Sequence, residues 1–421
     1  MKRASFRLFG LVLILGCAVQ AQDSAPKKGP SIPVSEYAVR RANLQKKFEG
    51  ALVLIEADPL FEGMANIDKN TYVYDFFYLT GYHRESDVLA FVPAGGSILF
   101  SDAKPAELKA TSGVNDIRSR DEFPKFLRMA FEKSPDVLTR LRAAAKETVA
   151  GVAKEFDLKP KAAGEKILNE ITKLRLVKSP AELDMLRKAS DATNKAHLAA
   201  MKACHPGMNE KELQKVIEDK FKEEGCDGLG FPSIVGSGMN GTILHYDANT
   251  AEIPPDSLVV CDIGSSYHGY VTDITRTLPT SGKFTEEHKK AYQCVLDAQK
   301  AAEAILKPGV TIGELHRTAG KVFEERGMTD YSFAHNQWPK GHGIGHQVGL
   351  AVHDADIRGV KLDAGMVVTI EPGYYNWKDG WGIRIEDIYI VTKDGFERMS
   401  AEPPREVDEI EKLMGLKKRE Y

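Results

Sequence analysis

Residues 258–278 read LVVCDIGSSYHGYVTDITRTL, and they decide the fold because they predict a buried β-hairpin carrying two acidic side chains. Two β-rich runs flank a glycine-containing turn, whose centre we place between Tyr267 and His268. This register puts Asp262 directly opposite Asp273, with Cβ atoms about 5 Å apart. Two carboxylates this close repel each other unless one is protonated or a cation lies between them.

The alternative to a cation site is a pair of solvated aspartates on an outward face. The apolar run Val259–Cys261 leads directly into Asp262, which favours a buried strand. Because a buried charge needs a partner or a metal, the hairpin predicts a cation site.

An internal repeat extends on both sides of this hairpin. Six positions recur at a constant offset of 102 residues, which chance does not explain. The pairs are Pro206/Pro308, Gly207/Gly309, Glu212/Glu314, Leu213/Leu315, Phe221/Phe323 and Gly225/Gly327. Each copy predicts two helices followed by β segments. The repeat therefore predicts a pseudo-twofold α+β domain, with helices outside, a sheet inside and a site that receives ligands from both halves.

The second half contributes a histidine-rich stretch. Residues 341–346 read GHGIGH, and His353 follows, so three of the chain's 11 histidines lie within 12 positions. Three glycines argue against a helical zinc motif. In an extended chain His342 and His346 point to the same face, and the glycines allow close approach to the backbone. This pattern favours a site over isolated histidines.

Two glutamates complete the acidic set. Glu371 ends an apolar strand, and Glu386 shares one strand face with Arg384. A single strand-end glutamate is more often a solvated cap. Acidic and histidine side chains placed this way across both halves favour a metal centre.

The order and spacing of these motifs resemble the "pita-bread" metallopeptidases, which include aminopeptidase P, prolidase and methionine aminopeptidase. The matching motifs are Asp262-x-Gly264, Asp273–Thr277, Gly341–His346, His353-Asp354, Glu371–Gly373 and Arg384–Asp387, and the match covers roughly residues 178–400. The preceding domain, with Phe77–Gly81, resembles the N-terminal domain of aminopeptidase P and prolidase, which methionine aminopeptidases lack. Creatinase shares both domains but works without the metal ligands, and all five ligand positions are intact here.

The resemblance implies two divalent metal ions. Asp262 would bind one metal, His346 and Glu371 the other, and Asp273 and Glu386 would bridge them. Mn²⁺ is favoured, since the absence of thiolate ligands fits a hard ion; Co²⁺, Zn²⁺ and Fe²⁺ are alternatives.

The resemblance also assigns catalytic roles. A metal-bridging hydroxide would attack the Xaa-Pro bond at the peptide N-terminus, and Glu371 would move the proton. His353 would help to stabilise the oxyanion, while His245 and His342 would position the substrate and aid proton transfer. Arg384 matches a family arginine beside the bridging glutamate.

Alternative functions remain open. An Xaa-Pro dipeptidase would need a cation for the substrate carboxylate; Arg358 is the candidate, although a surface position is favoured. More remote alternatives are a metal-free or catalytically silent binding protein on the same fold and a hydrolase of phosphate esters.

The first residues predict export. Lys2, Arg3 and Arg7 precede an apolar run of 12 residues at positions 8–19, which is too short to span a bilayer. A small-residue cleavage pattern at Val19–Ala21 follows, so residues 1–21 are predicted to be a signal peptide of a periplasmic or secreted protein. A lipoprotein anchored through Cys17 is the less favoured alternative.

The rest of the chain divides into a predicted N-terminal α/β domain (32–160), a helical linker (161–178), the metallopeptidase domain (179–405) and a tail (406–421). The first domain is predicted to contain, in order, a helix at Glu36–Lys47 and strands at Ala51–Ile55, Phe76–Leu79, Val88–Val92 and Ser97–Phe100. Ser179 is predicted to cap a helix with Pro180 in its first turn.

The charge composition limits the classes of binding partner that we expect. Removal of residues 1–21 takes the formal charge from −3 to −6, which argues against a nucleic-acid partner. No further segment predicts a membrane helix. The family resemblance implies a homo-oligomer, a dimer or tetramer. Cys204, Cys226, Cys261 and Cys294 are scattered; small core residues are favoured over a disulfide.

Overall fold

The computed structural model describes residues 32–59, 73–133, 136–335, 341–354 and 356–415. The predicted signal peptide, Cys17 and the last six residues of the predicted tail lie outside these ranges. No helix in the described ranges combines the length and apolar character that a bilayer crossing needs.

Helices and strands are interspersed along the first part of the chain. In the second part, each copy of the repeat has a pair of helices followed by strands. The helices are α1 (Val34–Lys46), α2 (Tyr74–Thr80), α3 (Pro105–Ser112), α4 (Phe123–Phe131), α5 (Ala143–Glu155), α6 (Gly164–Leu176), α7 (Pro180–Ala203), α8 (Glu210–Glu223), α9 (Glu286–Glu303), α10 (Ile312–Glu325) and α11 (Val407–Gly415). The strands are β1 (Leu52–Glu56), β2 (Val88–Phe91), β3 (Ser97–Phe100), β4 (Asp116–Arg118), β5 (Val137–Arg140), β6 (Lys161–Ala162), β7 (Gly228–Leu229), β8 (Ile234–Ser237), β9 (Leu258–Ile263), β10 (Ser265–Tyr267), β11 (Tyr270–Val271), β12 (Ile274–Pro279), β13 (Val367–Ile370), β14 (Gly373–Asn376), β15 (Trp381–Arg384), β16 (Asp387–Val391) and β17 (Phe396–Arg398).

The first sheet has the strand order β4-β3-β2-β1-β5-β6 and is covered on both faces. Alternate residues of β1 enter different cores, as the strand period of two requires. Leu52 and Leu54 pack with the phenylalanines of α4, whereas Val53 and Ile55 face a core that continues into the second half of the chain. The first domain is therefore joined to the rest of the molecule through a shared apolar core.

The predicted strand at Phe76–Leu79 is wrong, because this run lies inside helix α2. The helix ends at Gly81, which adopts a left-handed φ of 72° and donates its N–H to the carbonyl of Phe77. Four apolar residues fit a buried helix turn as well as a strand, and the glycine cap decides for the helix.

The predicted helix start at residue 179 is confirmed. The Ser179 hydroxyl accepts from the N–H of Glu182, and the Glu182 carboxylate accepts in return from the N–H of Ser179. This capping box opens α7 with Pro180 in the first turn. The preceding linker carries α6, while its first two residues form β6 at the edge of the first sheet.

The repeat builds two matching helix pairs. Helices α7 and α8 pack together in the first copy, and α9 and α10 do so in the second. The equivalent pairs Leu213/Leu315 and Phe221/Phe323 are all buried in one core beneath the helices. Cys204, Cys261 and Cys294 also lie in this core, and all four described cysteines are free thiols.

The two halves meet at their sheets. Strands β8, β9 and β12 form a sheet in the first half, and β13, β16 and β17 form one in the second. A bridge between Thr275 and Glu386 joins the two sheets, with each residue donating its N–H to the other's carbonyl. Functional residues from both halves are thereby brought to one seam.

The hairpin register differs from the prediction by two residues. Asp262 lies opposite Thr275 rather than Asp273, and the turn residues are His268 and Gly269. Both adopt a left-handed φ, 49° and 80°, as a tight two-residue hairpin turn requires. Because the shift is an even number of residues, both aspartates remain on the predicted face.

Candidate metal centre and active site

The nine residues that the sequence singles out line one cavity of about 400 Å³ at the seam between the halves. They are Asp262, Asp273, His346, Glu371 and Glu386 as predicted metal ligands, with His245, His342, His353 and Arg384 around them. Their grouping is a property of the fold, since they come from segments spread over more than a hundred residues.

The first half supplies the aspartates from the hairpin. Asp262 is near the end of β9, and Asp273 directly precedes β12. Both are largely buried, and Asp262 adds to the repulsion that Asp273 experiences. The structure thus retains the close carboxylate pair that the sequence predicted, as diagonal rather than direct neighbours.

The second half presents His346 from a segment that runs alongside β13. His346 accepts at its carbonyl from the N–H of Thr369, and Val348 donates to the carbonyl of Val367. A Cβ on Gly345 would overlap the carbonyl oxygen of Thr369, so glycine is required for this close approach. The glycine-rich motif therefore works as an extended, closely packed segment.

His346 lies at the centre of the carboxylates. Its Nε2 is 3.4 Å from Oδ2 of Asp273 and 3.5 Å from Oε1 of Glu371. One potential ligand atom each from Asp273, His346 and Glu386 lies within 4.8 Å of the others. The Nδ1 of His346 lies 3.1 Å from the carbonyl of Gln347, which leaves Nε2 directed at the acidic group.

Burial makes this acidic group strongly unfavourable without cations. It raises the pKa of Asp273 and of Glu386 well above their usual values, and neighbouring carboxylates raise them further. It also raises the pKa of Glu371 to about 7, against the opposing effect of His346. When Asp262 and these three are ionised, they carry four negative charges against the single positive charge of Arg384.

A second observation also indicates that these residues could bind divalent cations. Three buried carboxylate oxygens, Oδ1 of Asp262, Oδ1 of Asp273 and Oε1 of Glu386, have no hydrogen-bond partner among the described residues. Unpaired buried acceptors of this kind are costly, and a cation satisfies them. Carboxylate oxygens with one imidazole nitrogen form a ligand set suited to hard or borderline divalent ions.

A hydrogen-bonded chain surrounds the centre on one side. Arg384 donates to Oδ2 of Asp262 at 2.7 Å and to the hydroxyl of Tyr375 at 3.1 Å. That hydroxyl lies 2.8 Å from Nε2 of His342, whose Nδ1 lies 2.7 Å from the carbonyl of Gly343. Burial and the nearby Arg384 lower the pKa of His342 to about 3, so its ring is neutral.

Two residues that contact the predicted site residues were not predicted from the sequence. Tyr375 was not singled out; its alternation with Gly373 after Glu371 is the only signal that could have indicated it. Thr275 was quoted only as part of a motif, yet its hydroxyl donates to Oε2 of Glu386 at 2.7 Å.

The remaining histidines lie next to His346. The ring centroid of His353 is 4.4 Å from that of His346 and 6.2 Å from that of His245. Arg358 is exposed and is not among the residues that line the cavity.

Known proteins are similar to this chain over most of its length. The profile of metallopeptidase family M24 matches residues 184–393. The Xaa-Pro aminopeptidase of Escherichia coli K12 is 30% identical, over 90% of this chain and 97% of that protein. The Xaa-Pro dipeptidase of Pyrococcus furiosus is 35% identical, over 56% of this chain and 66% of that protein. The structure of proline aminopeptidase P II from Yersinia pestis matches with a TM-score of 0.77 and 28% identity, covering 91% of this chain and 100% of that one.

The fold and the acidic, histidine-containing cavity define a metal-dependent peptidase of the pita-bread class. The chain belongs to metallopeptidase family M24. The predicted fold and family are confirmed, including the N-terminal domain that the aminopeptidase P structures share.

Proposed function

We propose that this metallopeptidase removes the first residue from peptides whose second residue is proline. Two divalent metal ions, with Mn²⁺ favoured, would be held by Asp262, Asp273, His346, Glu371 and Glu386. The similarity to Xaa-Pro aminopeptidases over 90% of the chain supports the substrate class.

The observation that carries the proposal is the unbalanced charge of the cavity. The four carboxylates of the predicted ligand set share the cavity with Arg384 as its only lysine or arginine, and three of their oxygens have no hydrogen-bond partner among the described residues. Two divalent ions would offset this excess of negative charge, for which the described lining residues offer no second lysine or arginine. The same feature weighs against a metal-free binding protein.

The residues around the centre support specific roles. When bound, the metal ions would lower the pKa of water and supply hydroxide near neutral pH. Glu371, which lines the cavity beside His346, would accept the proton of the attacking water and pass it to the departing nitrogen. His353 would donate to the oxygen of the cleaved carbonyl from its position beside His346. His245, which also lines the cavity, would position the substrate and aid proton transfer.

His342 would act mainly by position. Its ring is neutral, and both its nitrogens have partners in Tyr375 and Gly343. An uncharged ring fixed at the cavity wall suits packing against proline, whose imide nitrogen offers no hydrogen to donate.

The competing activity is that of an Xaa-Pro dipeptidase. One assay distinguishes the two activities. Purified protein loaded with Mn²⁺, Co²⁺ or Zn²⁺ is tested on Xaa-Pro, Xaa-Pro-Xaa and Xaa-Ala-Xaa peptides. The proposal predicts preference for Xaa-Pro-Xaa over both others. Preference for the dipeptide would establish the alternative, and equal cleavage of Xaa-Ala-Xaa would remove proline specificity. A phosphate-ester substrate in the same panel tests the remote hydrolase alternative.

Export and assembly are also part of the proposal, on sequence grounds. Residues 1–21 would be removed during export to the periplasm or medium, and the mature chain would form a dimer or tetramer. N-terminal sequencing of the mature protein from cell fractions tests cleavage after Ala21. Lipid labelling that depends on Cys17 would instead establish the lipoprotein alternative. Light scattering gives the oligomeric state.

A further inference from the structure

A cluster of four buried charges links the N-terminal domain to the active site. Arg175, at the end of α6, donates to Oδ1 of Asp75 in α2 at 2.7 Å and also to Oδ1 of Asp354. Lys178 lies 3.3 Å from Oδ2 of Asp354. All four side chains are at most 2% exposed. Two positive and two negative charges balance, so the cluster is neutral.

Asp354 is the member of this cluster that reaches the cavity. It follows His353 directly and lines the cavity with it. Its N–H donates to the carbonyl of Gln347 at 2.9 Å, and the same carbonyl is the partner of Nδ1 of His346. The position of Asp354 therefore affects two imidazoles. It affects His353 because the two residues are adjacent in the chain, and it affects His346 because both contact the carbonyl of Gln347.

We propose that Asp75 and Arg175 position His353 and His346 by holding Asp354. This inference rests on the proposed function, and it makes the N-terminal domain a working part of the active site rather than an attached module. The planar guanidinium is suited to the task, because it donates in two directions at once from a fixed geometry.

The packing around Asp354 leaves it little freedom. A Cβ built on Gly349 would overlap Oδ2 of Asp354 and lie 3.1 Å from Cε of Lys178. The carboxylate thus occupies the space that a side chain at position 349 would need. Displacement of this carboxylate can therefore be produced in two independent ways, from the Arg175 side and from the Gly349 side.

The same domain interface contains a matched control. Arg40 in α1 lies 3.4 Å from Oε1 of Glu182, and Tyr270 donates to that oxygen at 2.9 Å. Arg40 and Glu182 are as deeply buried as the first cluster, but none of these three residues lines the cavity. Disruption here tests what loosening of the interface does by itself.

The experiment compares Arg175→Lys, Gly349→Ala and the control Arg40→Lys in the full-length protein. Each protein is loaded to the metal content of the wild type, and kcat and KM are measured on an Xaa-Pro-Xaa peptide. In parallel, the histidine ring resonances are recorded on metal-free, ¹³C-histidine-labelled protein. Lysine preserves the charge but loses the two-way fork, and alanine changes no charge.

We expect kcat to fall at least about 10-fold in Arg175→Lys and Gly349→Ala, because displacement of a catalytic group by about 1 Å can cost about 100-fold. The signals of His353 and His346 should shift in both. Arg40→Lys should keep kcat within about threefold of wild type with unshifted signals, whatever its melting temperature. If Arg175→Lys does not fold, Gly349→Ala alone decides.

The proposal is overturned if the folded test variants match Arg40→Lys in kcat, or if the His353 signal stays in place. Absence of Xaa-Pro cleavage by the wild type would instead overturn the proposed function. The ring signals would still report whether Asp354 positions the histidines in that case.

Discussion

The guanidinium of Arg384 donates to Oδ2 of Asp262 at 2.7 Å, and this contact leaves Oδ1 of the same carboxylate buried and without a hydrogen-bond partner among the described residues. One oxygen is thus fixed by the protein, while the other is directed to the acidic centre. Arg384 orients Asp262 but does not satisfy it. The same guanidinium reaches Tyr375 and, through it, His342.

Replacement of Arg384 by lysine should therefore impair catalysis more than metal content. The ammonium keeps the charge but cannot contact Asp262 and Tyr375 together in the same geometry. We expect kcat to fall about 10- to 100-fold with near wild-type metal occupancy. Steady-state kinetics with elemental analysis measures both. Arg187→Lys, at a half-exposed pair with Glu397, is the matched control and should stay close to wild type. An unchanged kcat in Arg384→Lys would refute the orienting role.

Metal binding should release protons near neutral pH. Burial holds the pKa of Asp273 and Glu386 well above their usual values and that of Glu371 at about 7, so cations compete with protons for these groups. Metal affinity should fall as the pH drops through 7. Calorimetric titration in buffers of different ionisation enthalpy measures the released protons. A pH-independent affinity between pH 6 and 8 would contradict this prediction.

The same shifts give a sign for stability. A carboxyl group whose pKa is raised on folding stabilises the fold while protonated, and this contribution is lost as pH rises through the folded pKa. The metal-free protein should therefore melt at lower temperature at pH 8 than at pH 6, and added metal should remove the difference. Glu371→Gln, which cannot ionise, should flatten the part of the trend centred near pH 7. An identical slope in that variant would assign the effect to other groups.

The grouping of the candidate metal ligands was predictable from sequence because several of them lie at or beside the ends of buried strands. A carboxylate directly after the buried runs Val259–Cys261 or Val367–Ile370 is placed close to the apolar core, so these runs indicate that it needs a partner. The internal repeat further predicted that both halves of the domain contribute residues to this site. Even the misplaced register preserved the face, because the shift was two residues.

The hairpin turn itself yields a stability prediction. Gly269 has a φ of 80°, and its Cβ position would lie 3.2 Å from the ring of Phe77. Gly269→Ala should cost about 1–2 kcal/mol from the left-handed backbone alone. His268→Asn is the control, since asparagine tolerates a positive φ, and it should change stability by less than about 0.5 kcal/mol. Urea unfolding of both variants decides; equal stability would argue against a strained two-residue turn.

Contacts between residues that are far apart in the chain were not predictable from local sequence patterns. Asp75 and Arg175 are 100 positions apart, and Arg175 and Asp354 are 179 apart, so only the packing of three segments brings them together. Likewise, the helix at Phe76–Leu79 depends on the left-handed cap at Gly81, which a four-residue apolar run does not reveal. The residue types indicated a candidate site, and tertiary packing determines which residues hold its side chains in place.

The most direct test of the central claim joins a metal count to a rate. Wild type and Asp273→Ala are each loaded with Mn²⁺, and bound metal per chain is measured alongside hydrolysis of an Xaa-Pro-Xaa peptide. We expect two ions per chain and cleavage before proline for the wild type, with both lost in the variant. Near wild-type cleavage by Asp273→Ala without bound metal would contradict it.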